Sequence, residues 1–426
     1  MNQRRKKSHS EQEIKDLRLL RPAHGGFCVG FDDSGVIFVR QGLPGELVDV
    51  KTYDAKGRVR FAQVTKVKEP SEWRRESIWK TATQSGLGGA ELAHVHPAYQ
   101  LQWKTEVLAD TLRRIGSGQT AEAFSTFFSN EEAGPVLAQH RLEGEDGKRT
   151  RAEFVVDANG RLAMHKVASM DLVAVDEYPL GTAAIANHEI FSSDSAFAEL
   201  LHESERIRII DTADGVFVRI GQQWYNKHAH PIPLGLVHYR VGDSLLAADP
   251  NGFWQAGKGS AELLSDTVRE LMPAGDEPVL ELFSGAGLLS RVVSAQTDGH
   301  SRYVLSVEGN EMASRIGPKN APQAHHLAAE ISVQSLGELI NQLPQKPFRV
   351  LADPPRQGLG AQLVRELVAS KPLSVLLVSC DPAAFAADAK QLGRLGYLPQ
   401  KLTILDLFPD THHFETVCLF EPIPNS

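Results

Sequence analysis

Hydrophobic positions along the chain change their spacing several times, and each spacing indicates a different kind of structure. The stretch 17–70 has short apolar runs broken by the turn sequences DDSG, LPGE and DAKG, which is typical of four or five strands in a small β-barrel. In 98–116 apolar side chains recur every three or four positions, which predicts an amphipathic helix. Residues 1–16 are polar, charged and aperiodic, so we expect a disordered tail.

Strand-like segments dominate from about 135 to 245. The sequence RAEFVVDANGRLAMHKV reads as a hairpin with Asn159 and Gly160 at its turn, and IRIIDTADGVFVRIGQQWYN reads as another. Apolar residues alternate with polar ones along these segments, as expected when a sheet buries one face. This middle region therefore predicts an antiparallel sheet.

The pattern changes again after about residue 250. PVLELF, RYVLSVE, FRVLADPP and SVLLVSC are short apolar runs, and helical stretches such as LGAQLVRELVAS lie between them. Strands buried on both faces and alternating with helices indicate a parallel α/β sheet. The last two strands, LTILDLF and FETVCLFEP, have no helix between them, so we expect an antiparallel final pair.

These patterns divide the 426 residues into several domains, since one hydrophobic core rarely serves so long a chain. We expect a Rossmann-like α/β domain with a small β-barrel of OB type before it and a central antiparallel α+β domain between them. The predicted bounds are 1–16 for the tail, 17–75 for the barrel, 76–245 for the central domain and 246–426 for the α/β domain.

Charge is distributed unevenly along the chain. The net charge is −8, yet residues 1–75 carry 16 Lys and Arg against 10 Asp and Glu, which is +6 and leaves −14 for the remainder. A basic module on an acidic body is typical of a protein that binds nucleic acid through that module. A solvated surface with a basic tail explains the same asymmetry equally well.

Cysteine usage and hydropathy bear on the compartment. Cys28, Cys380 and Cys418 lie far apart in sequence, which suits a reducing cytoplasm and excludes a disulfide framework or a spaced CxxC metal site. His412 and His413 have no further ligand at metal-binding spacing, so no metal site is predicted. No apolar run of about 18 residues occurs and no apolar segment follows the basic start, so we expect a cytoplasmic protein without membrane contact.

A glycine-rich turn marks the first half of a candidate site. In PVLELFSGAGLLSR, Gly285 and Gly287 follow an apolar strand and precede a helix, where they let a ligand approach the backbone. Glu308 ends the next strand, where a carboxylate can accept hydrogen bonds from a ribose diol. An ordinary tight turn and a solvated glutamate are the alternatives, but the pairing favours a nucleoside cofactor. Because no GK[ST] follows and Ser290 replaces the third glycine of the dinucleotide pattern, adenosylmethionine fits best.

Two further strand ends carry the residues for chemistry. LADPPRQGL places Asp353 at one end, and LLVSCDPAAF places Cys380 at another, before a helix whose N-terminus would lower the thiol pKa. The neighbouring carboxylate of Asp381 would act in the opposite direction. Glu415 begins the final strand and could serve as a base. Cys380 could equally be an inert apolar residue, and Glu415 alone reads best as a surface glutamate.

Five short motifs in this order resemble those of the RNA 5-methyluridine methyltransferase family. They are ELFSGAG, SVEGN, ADPPRQGL, VSCDP and FPDTHHFE; in addition NGFWQAG and RAEFVVDANGRLAMHKVASMDLVAVDEYPL resemble other segments of the family, and VIFVRQGLPGE resembles its RNA-binding TRAM barrel. The resemblance covers nearly the whole chain. It implies a methyltransferase domain with a mostly parallel seven-stranded sheet, an S-adenosyl-L-methionine cofactor and a tRNA or rRNA substrate methylated at carbon 5 of a uracil.

The resemblance also implies a role for each site residue. Cys380 would attack carbon 6 of the uracil, and Glu415 would remove the proton from carbon 5. Cofactor contacts would come from Gln255, Phe283, Gly285, Gly287, Glu308, Glu330 and Asp353.

The sequence departs from the family pattern at a few positions. Glu281 stands where an aspartate is usual, and Ser284 replaces a common cysteine. The stretch in which many members carry four iron–sulfur cysteines, here TATQSGLGGAELAHVHPAYQLQWK, contains none, so we expect no cluster. We expect a monomer.

Two other classes of protein fit the sequence less well. An RNA-binding protein with a decayed enzyme domain would need at least one broken catalytic position, and Cys380, Glu415, Glu308 and Asp353 are all present. A methyltransferase that acts on the amino group of adenine would have an aromatic residue where Arg356 stands, so Arg356 argues against that class.

Overall fold

A computed structural model describes residues 11–115, 118–129, 137–167, 169–295, 302–344 and 346–423. The chain divides into two compact units. The first contains Met1–Asp110, His165–Val173 and Pro409–His412, and the second contains Thr111–Met164, Ala174–Phe408 and His413–Ser426. The first unit thus extends to Asp110, beyond the barrel boundary predicted at residue 75.

Five strands of the first unit close into a barrel with the order β1-β2-β3-β5-β4. They are β1 (Glu13–Ala23), β2 (Phe27–Asp32), β3 (Gly35–Arg40), β4 (Leu47–Lys56) and β5 (Val59–Glu69). Apolar side chains such as Leu19, Ile37, Val39 and Val50 fill its interior and are fully buried. The barrel predicted from the turn spacing is therefore present.

The predicted disordered tail, 1–16, is too long at its end. β1 begins at Glu13, because Glu13 and Ile14 pair with Lys51 and Val50 of β4. Backbone pairing needs no apolar side chains, so this polar stretch gave no sequence signal. Residues 1–10 of the predicted tail lie outside the described residues.

The rest of the first unit contains α1 (Lys80–Ser85) and most of α2 (Pro97–Ile115), which confirms the helix predicted over 98–116. Tyr99, Trp103 and Val107 are buried along one side of α2. In the separate segment Pro409–His412, the Asp410 carboxylate accepts a hydrogen bond from the Gln100 amide at 2.8 Å. Gln100 accepts one in return from the backbone N–H of Asp410, also at 2.8 Å.

The middle of the chain forms a seven-stranded sheet with the order β13-β12-β11-β10-β7-β8-β9. Its strands are β7 (Arg151–Val156), β8 (Leu162–His165), β9 (Leu172–Ala174), β10 (Arg206–Thr212), β11 (Gly215–Ile220), β12 (Gln223–Asn226) and β13 (Pro231–Ile232). The β7–β8 and β10–β11 hairpins are antiparallel, as predicted. Gly160 has φ of 74°, which the turn between β7 and β8 requires. A separate hairpin follows, β14 (Val237–Val241) and β15 (Ser244–Ala248).

The largest sheet has eight strands in the order β18-β17-β16-β19-β20-β22-β21-β6. They are β6 (Leu137–Arg141), β16 (Val279–Leu282), β17 (Val304–Glu308), β18 (His325–Ala328), β19 (Arg349–Ala352), β20 (Val375–Ser379), β21 (Tyr397–Asp406) and β22 (Glu415–Pro422). β16 to β20 are parallel, and β22 is antiparallel to both β20 and β21, as predicted for the final pair.

The prediction of seven strands for this sheet is wrong by one. β6, from the segment assigned to the central domain, adds beside β21 in parallel. Its sequence, LAQHR, has no apolar alternation and no fully buried side chain, so the hydrophobic pattern could not reveal it. The ion pair between Arg141 and the buried Asp406, at 3.2 Å, fixes the end of β6 against β21.

Helices surround the sheet strands in the second unit. They are α3 (Gln119–Phe127), α4 (Ala183–Ala186), α5 (Ser260–Leu271), α6 (Leu288–Ser294), α7 (Glu311–Asn320), α8 (Val333–Asn341), α9 (Ala361–Ala369) and α10 (Pro382–Arg394). One core cluster joins Leu264 and Val268 of α5 with Val279, Leu351 and Leu376 of the sheet. Burial on both faces explains why β16, β19 and β20 are mainly apolar.

No helix among the described residues is long and apolar enough to cross a membrane.

Candidate active site

Four parallel strands end at the same edge of the large sheet, where most predicted site residues lie. Leu282 of β16 pairs with Val307 of β17 and Ala352 of β19, and Ala352 pairs with Leu377 of β20. Because these strands are parallel and in register, the residues that follow them emerge together. This brings together Phe283, Glu308, Asp353 and Cys380, as the sequence analysis expected.

The loop after β16 has backbone angles that explain its glycines. Phe283, Gly285 and Gly287 have φ of 63°, 55° and 84°. A Cβ on Gly287 would lie 3.2 Å from the Cα and carbonyl of Gly317, so this position also needs a residue without a side chain. A Cβ on Gly285 would meet nothing within 4 Å, so the backbone there faces open space. The loop thus has a bare backbone available to a ligand.

The Glu308 carboxylate holds this loop from the neighbouring strand. Its Oε2 accepts the Gly285 backbone N–H at 2.8 Å, and its Oε1 accepts the Asn310 N–H at 2.6 Å. An ionised carboxylate has about four acceptor sites, so both oxygens can accept further hydrogen bonds. Glu308 can therefore shape the loop and bind a diol at the same time, which fits the adenosine ribose of adenosylmethionine.

The segment with Gln255 lies between β15 and α5. Arg151 holds it by donating to the carbonyls of Gly252 and Pro250 at 2.8 and 2.7 Å. Trp254 stacks on Tyr239 with ring centroids 5.0 Å apart. Gln255 is 8% exposed, and among the described residues its amide has no hydrogen-bond partner. That amide is available to a ligand.

Glu330 lies in the loop that follows β18. Ala328, the last residue of β18, pairs with Glu308, so this loop leaves the sheet at the same edge. The Glu330 side chain is exposed, and its carbonyl accepts the Ser335 hydroxyl at 2.6 Å. The adenine contact expected of Glu330 stays a prediction.

Cys380 and Glu415 lie at adjacent ends of β20 and β22. Ser379 pairs with Thr416 in this antiparallel ladder, so the residues one step beyond them, Cys380 and Glu415, are opposite each other. Glu415 is 7% exposed, and its Oε2 is buried without a hydrogen-bond partner among the described residues. A buried acceptor without a partner is costly in a folded protein, which is typical of a functional group. Glu415 is therefore not the surface glutamate of the alternative interpretation.

The pKa of the Cys380 thiol is raised to about 12, mainly by burial and further by the charges of Glu415 and Asp353. The lowering expected from the helix N-terminus is therefore wrong. The Asp381 side chain accepts the Ala383 and Ala384 N–H groups of α10 at 2.9 Å, so the first free donors of the helix are already bonded. The free protein thus holds Cys380 as a thiol at neutral pH.

The pKa values of two acidic groups beside Cys380 are raised as well. Burial raises the pKa of Asp353 to about 7, and burial and the charge of Asp353 raise the pKa of Glu415 well above its usual range. The Arg356 guanidinium lowers the pKa of both Cys380 and Glu415. The sequence analysis did not predict this effect of Arg356 on the two pKa values. Its place in DPPR was the only available signal.

Glu281 is a second buried carboxyl near the cofactor loop. It is 1% exposed, and burial raises its pKa to about 8. The Ser290 and Ser306 hydroxyls bond each other at 2.9 Å and offset only part of this rise. The sequence analysis noted Glu281 only as a departure from aspartate and missed its burial, because polar residues inside apolar strands carry no signal of depth.

Cys28, Cys418 and His412 each have surroundings of their own. Cys28 and Cys418 are fully buried. In the first unit, His412 forms an ion pair with the Glu91 carboxylate at 3.1 Å, which lowers the pKa of Glu91 to about 2. No group of three metal-binding side chains occurs within the described ranges.

The parallel sheet, the glycine-rich first loop and the carboxylate on the second strand define the class of protein. It is a Rossmann-like methyltransferase that uses S-adenosyl-L-methionine. A solved structure, the Pyrococcus abyssi tRNA (uracil-54, C5)-methyltransferase in complex with S-adenosyl-L-homocysteine, has the same fold. Its TM-score is 0.67 at 20% identity, covering 95% of this chain and all of that chain.

Sequence comparison gives the family. An uncharacterized RNA methyltransferase of Corynebacterium efficiens is 31% identical over 419 residues, covering 95% of this chain and 94% of the relative. The 23S rRNA (uracil(1939)-C(5))-methyltransferase RlmD of Pseudomonas aeruginosa is 29% identical over 449 residues, with coverage of 95% and 93%. The family model described as tRNA (Uracil-5-)-methyltransferase matches 343–422, which contains Cys380 and Glu415. The chain therefore belongs to the RNA (uracil-5-)-methyltransferase family, whose members are adenosylmethionine-dependent enzymes.

Proposed function

We propose that this protein methylates carbon 5 of one uridine in tRNA or rRNA through a covalent bond between Cys380 and carbon 6. The observation that carries the proposal is the pairing of Ser379 with Thr416, which brings the Cys380 thiol and the Glu415 carboxyl to adjacent strand ends. A nucleophile and a base for the same ring need this proximity.

Carbon 5 of uracil is a weak nucleophile and must be activated. The Cys380 thiol first loses its proton to solvent. Its sulfur then forms a bond to carbon 6, and the displaced electron pair makes carbon 5 an enolate carbon. Adenosylmethionine, when bound, would supply an electrophilic methyl group to carbon 5, and it would leave as S-adenosyl-L-homocysteine when its methyl–sulfur bond breaks. Arg356 is the cation that stabilises the thiolate, since it lowers the pKa of Cys380.

Glu415 completes the reaction. Its carboxylate takes the proton from carbon 5, the carbon 5–carbon 6 double bond reforms, and the carbon–sulfur bond breaks to release Cys380 as a thiolate. Glu415 then loses that proton to solvent. Because the pKa of Glu415 is raised, the carboxylate is a stronger base than an exposed glutamate would be.

The cofactor contacts rest on the fit of the loop and its neighbours. Gly285 and Gly287 offer a bare backbone, Glu308 has acceptor sites for the ribose diol, and Gln255 has an unbonded amide. Phe283, in the strained conformation beside them, and the half-buried Asp353 complete the proposed set. Glu330 is assigned to the adenine on resemblance alone.

The substrate class, RNA, follows from the family. The kind of RNA differs between the relatives. RlmD is named for a uracil of 23S rRNA, and the Pyrococcus enzyme for a uracil of tRNA. A target base inside folded RNA is stacked, so this protein needs an unpaired loop or must flip the base out. The monomeric state, the cytoplasmic localisation and the lack of an iron–sulfur cluster stay predictions.

The decisive experiment traps the covalent bond. Transcripts of tRNA and 23S rRNA containing 5-fluorouridine are incubated with the protein and adenosylmethionine, and adducts are resolved by denaturing gel. Fluorine cannot leave carbon 5 as a proton, so Glu415 has nothing to remove and the adduct persists. We expect an adduct with one of the transcripts and none with Cys380→Ala. No adduct with any transcript, from protein that binds adenosylmethionine, would refute the proposal.

A further inference from the structure

Three phenylalanine side chains on adjacent strands of the barrel form one continuous surface, here called the aromatic face. The ring centroids of Phe27 and Phe38 are 5.9 Å apart, and Phe61 lies 5.6 Å from Phe27 and 5.7 Å from Phe38. Each ring is partly exposed, while the neighbouring Ile37 and Val39 are fully buried in the barrel. The aromatic face is therefore on the outside of the barrel, where it does not serve the core.

Two cations lie over this face. The Arg40 guanidinium is 4.8 Å from the centre of the Phe27 ring, and the Lys56 ammonium is 5.9 Å from that of Phe61. Arg40 also donates to the Tyr53 hydroxyl at 3.0 Å, and the Tyr53 side chain is 47% exposed. No carboxylate in the described ranges forms an ion pair with Arg40 or Lys56.

Several other cations of the barrel are neutralised by carboxylates, whereas, among the described residues, Arg40 and Lys56 are not. The pairs are Arg18 with Glu69, Arg60 with Asp32, Lys51 with Glu11, and Lys68 with both Asp16 and Asp49. Asp54 is the acidic residue nearest in register, opposite Phe61, and its carboxylate accepts the Ala55 backbone N–H at 2.8 Å. The charge left over the aromatic face is thus positive and suits a polyanion.

The groove beside the aromatic face is too small for a base. It is lined by Gln41, Gln63 and Thr83 among others and has a volume of about 20 Å³. That space holds about one water molecule. A nucleobase at this face would therefore contact the rings and not enter that groove. Flat stacking on aromatic side chains is the usual way in which OB-type barrels bind single strands, with bases of any identity.

We propose that an unpaired nucleotide of the substrate RNA, other than the methylated uridine, stacks on Phe27, Phe38 and Phe61 while its phosphates contact Arg40 and Lys56. The proposal rests on the proposed function, because it takes the substrate to be RNA. It assigns the barrel a preference for single-stranded RNA that depends little on sequence. A protein partner fits less well, since unneutralised cations over half-exposed rings match a backbone of phosphates.

The test measures the affinity of the full chain for a fluorescein-labelled RNA of about 12 nucleotides, within the length range of one OB-type barrel. The RNA contains adenine and cytosine only, so it offers no uracil. We expect Phe38→Ala to weaken binding about 10- to 100-fold, the usual loss for one stacking ring, and Phe38→Trp to bind as the unchanged protein does. The control is Phe31→Ala, because Phe31 is 53% exposed on the same barrel and outside the face.

Salt dependence tests the cations without removing a ring. Arg40→Gln and Lys56→Gln should each reduce the slope of log affinity against log salt by about 0.7, the value for one phosphate contact on a single strand. The same RNA annealed to its complementary strand should bind less tightly than the single strand. Circular dichroism of each variant checks the barrel, and Arg40→Gln keeps the test decisive if Phe38→Ala is unfolded.

Unchanged affinity in folded Phe38→Ala, an equal loss in Phe31→Ala, or an unchanged salt slope in both cation variants would overturn the proposal and leave the face to a protein partner. These readings are independent of methyl transfer. Failure of the 5-fluorouridine trap with intact RNA binding rejects the proposed function alone. A successful trap with unchanged binding in Phe38→Ala rejects the stacking proposal alone.

Discussion

Ser379 and Thr416 pair directly across β20 and β22, and this pairing brings Cys380 and Glu415 to the same strand end. The two residues are 35 positions apart in sequence. A backbone ladder, which is more rigid than a loop, therefore sets the spacing between the proposed nucleophile and the proposed base. The predictions below follow from this arrangement and from the charges around it.

Replacing the nucleophile should abolish methyl transfer and spare the cofactor site. In Cys380→Ala we expect no detectable methylation of RNA and an unchanged dissociation constant for adenosylmethionine, measured by calorimetry, because the glycine loop and Glu308 lie on other strands. Cys380→Ser is the matched variant, since it keeps the size and loses the thiolate. Full turnover by either variant would contradict the covalent mechanism.

Replacing the base should stop the reaction at its last stage. In Glu415→Gln we expect turnover to fall by about 10²- to 10⁴-fold, the usual contribution of a general base. A covalent adduct with ordinary uracil should accumulate on a denaturing gel.

The control for this variant is Glu421→Gln on the same strand, at a partly exposed position. It should turn over at the normal rate and leave no adduct. Equal loss in the two variants would mean that the Glu415 effect is structural.

Removing the Arg356 cation should move the pH dependence. Arg356 lowers the pKa of Cys380 and Glu415, so Arg356→Gln raises both. Because both groups react in their ionised forms, kcat/KM should rise with pH in the normal enzyme, and the rise should occur at higher pH in the variant. Arg365→Gln, an exposed position on α9, is the control. An unshifted profile would exclude this electrostatic role.

The Glu308 carboxylate should contribute more to cofactor binding than to the stability of the fold. Glu308→Gln removes the charge that accepts the Gly285 N–H at 2.8 Å and that is proposed to bind the ribose. Hydrogen bonds to charged groups contribute about 1.5–3 kcal/mol, so we expect adenosylmethionine to bind about 10- to 100-fold more weakly. Calorimetry beside Glu311→Gln, an exposed neighbour, gives the comparison. Equal affinity in the two variants would exclude Glu308 from the cofactor site.

Glu281 should make the fold less stable at alkaline pH. Its pKa is raised from 4.5 to about 8, so the folded state binds the proton more tightly than the unfolded state. Its contribution to stability is fully present below about pH 4.5 and is lost as pH rises through about 8, by at most about 1.4 kcal/mol per pH unit.

Glu281→Gln removes this dependence, so the gain in melting temperature over the unchanged protein should be larger at pH 8 than at pH 5. Glu277→Gln is the comparison, since the Glu277 pKa is lowered and its pH effect has the opposite sign. An equal gain at both pH values in Glu281→Gln would contradict the buried, protonated state.

Much of the fold was predictable because burial leaves a pattern. The mainly apolar runs of β16, β19 and β20 indicated a parallel sheet, and the Asn159-Gly160 turn located a hairpin. β6 and the start of β1 were missed, because both are polar strands that the backbone of a neighbouring strand recruits. Such recruitment depends on tertiary contacts that have no local signature.

The positions of the predicted site residues at the strand ends could be expected from the sequence, but their electrostatics could not. Strand-end positions in a parallel sheet bring Glu308, Asp353 and Cys380 together whatever their pKa values. The direction of the Cys380 shift was wrong, because depth of burial and the capping of α10 by Asp381 are not visible in the sequence. The influence of Arg356 depends on a distance that only the fold sets.

β22 lies between β20 and β21, so it connects the parallel strands to β21 and β6. The same strand begins with Glu415, the proposed base. A chain shortened to end before β22 would keep the glycine loop and the Cys380 thiol. It would lose the Glu415 carboxyl and the continuity of the sheet together, so the proposed base cannot be removed by truncation without dividing the sheet.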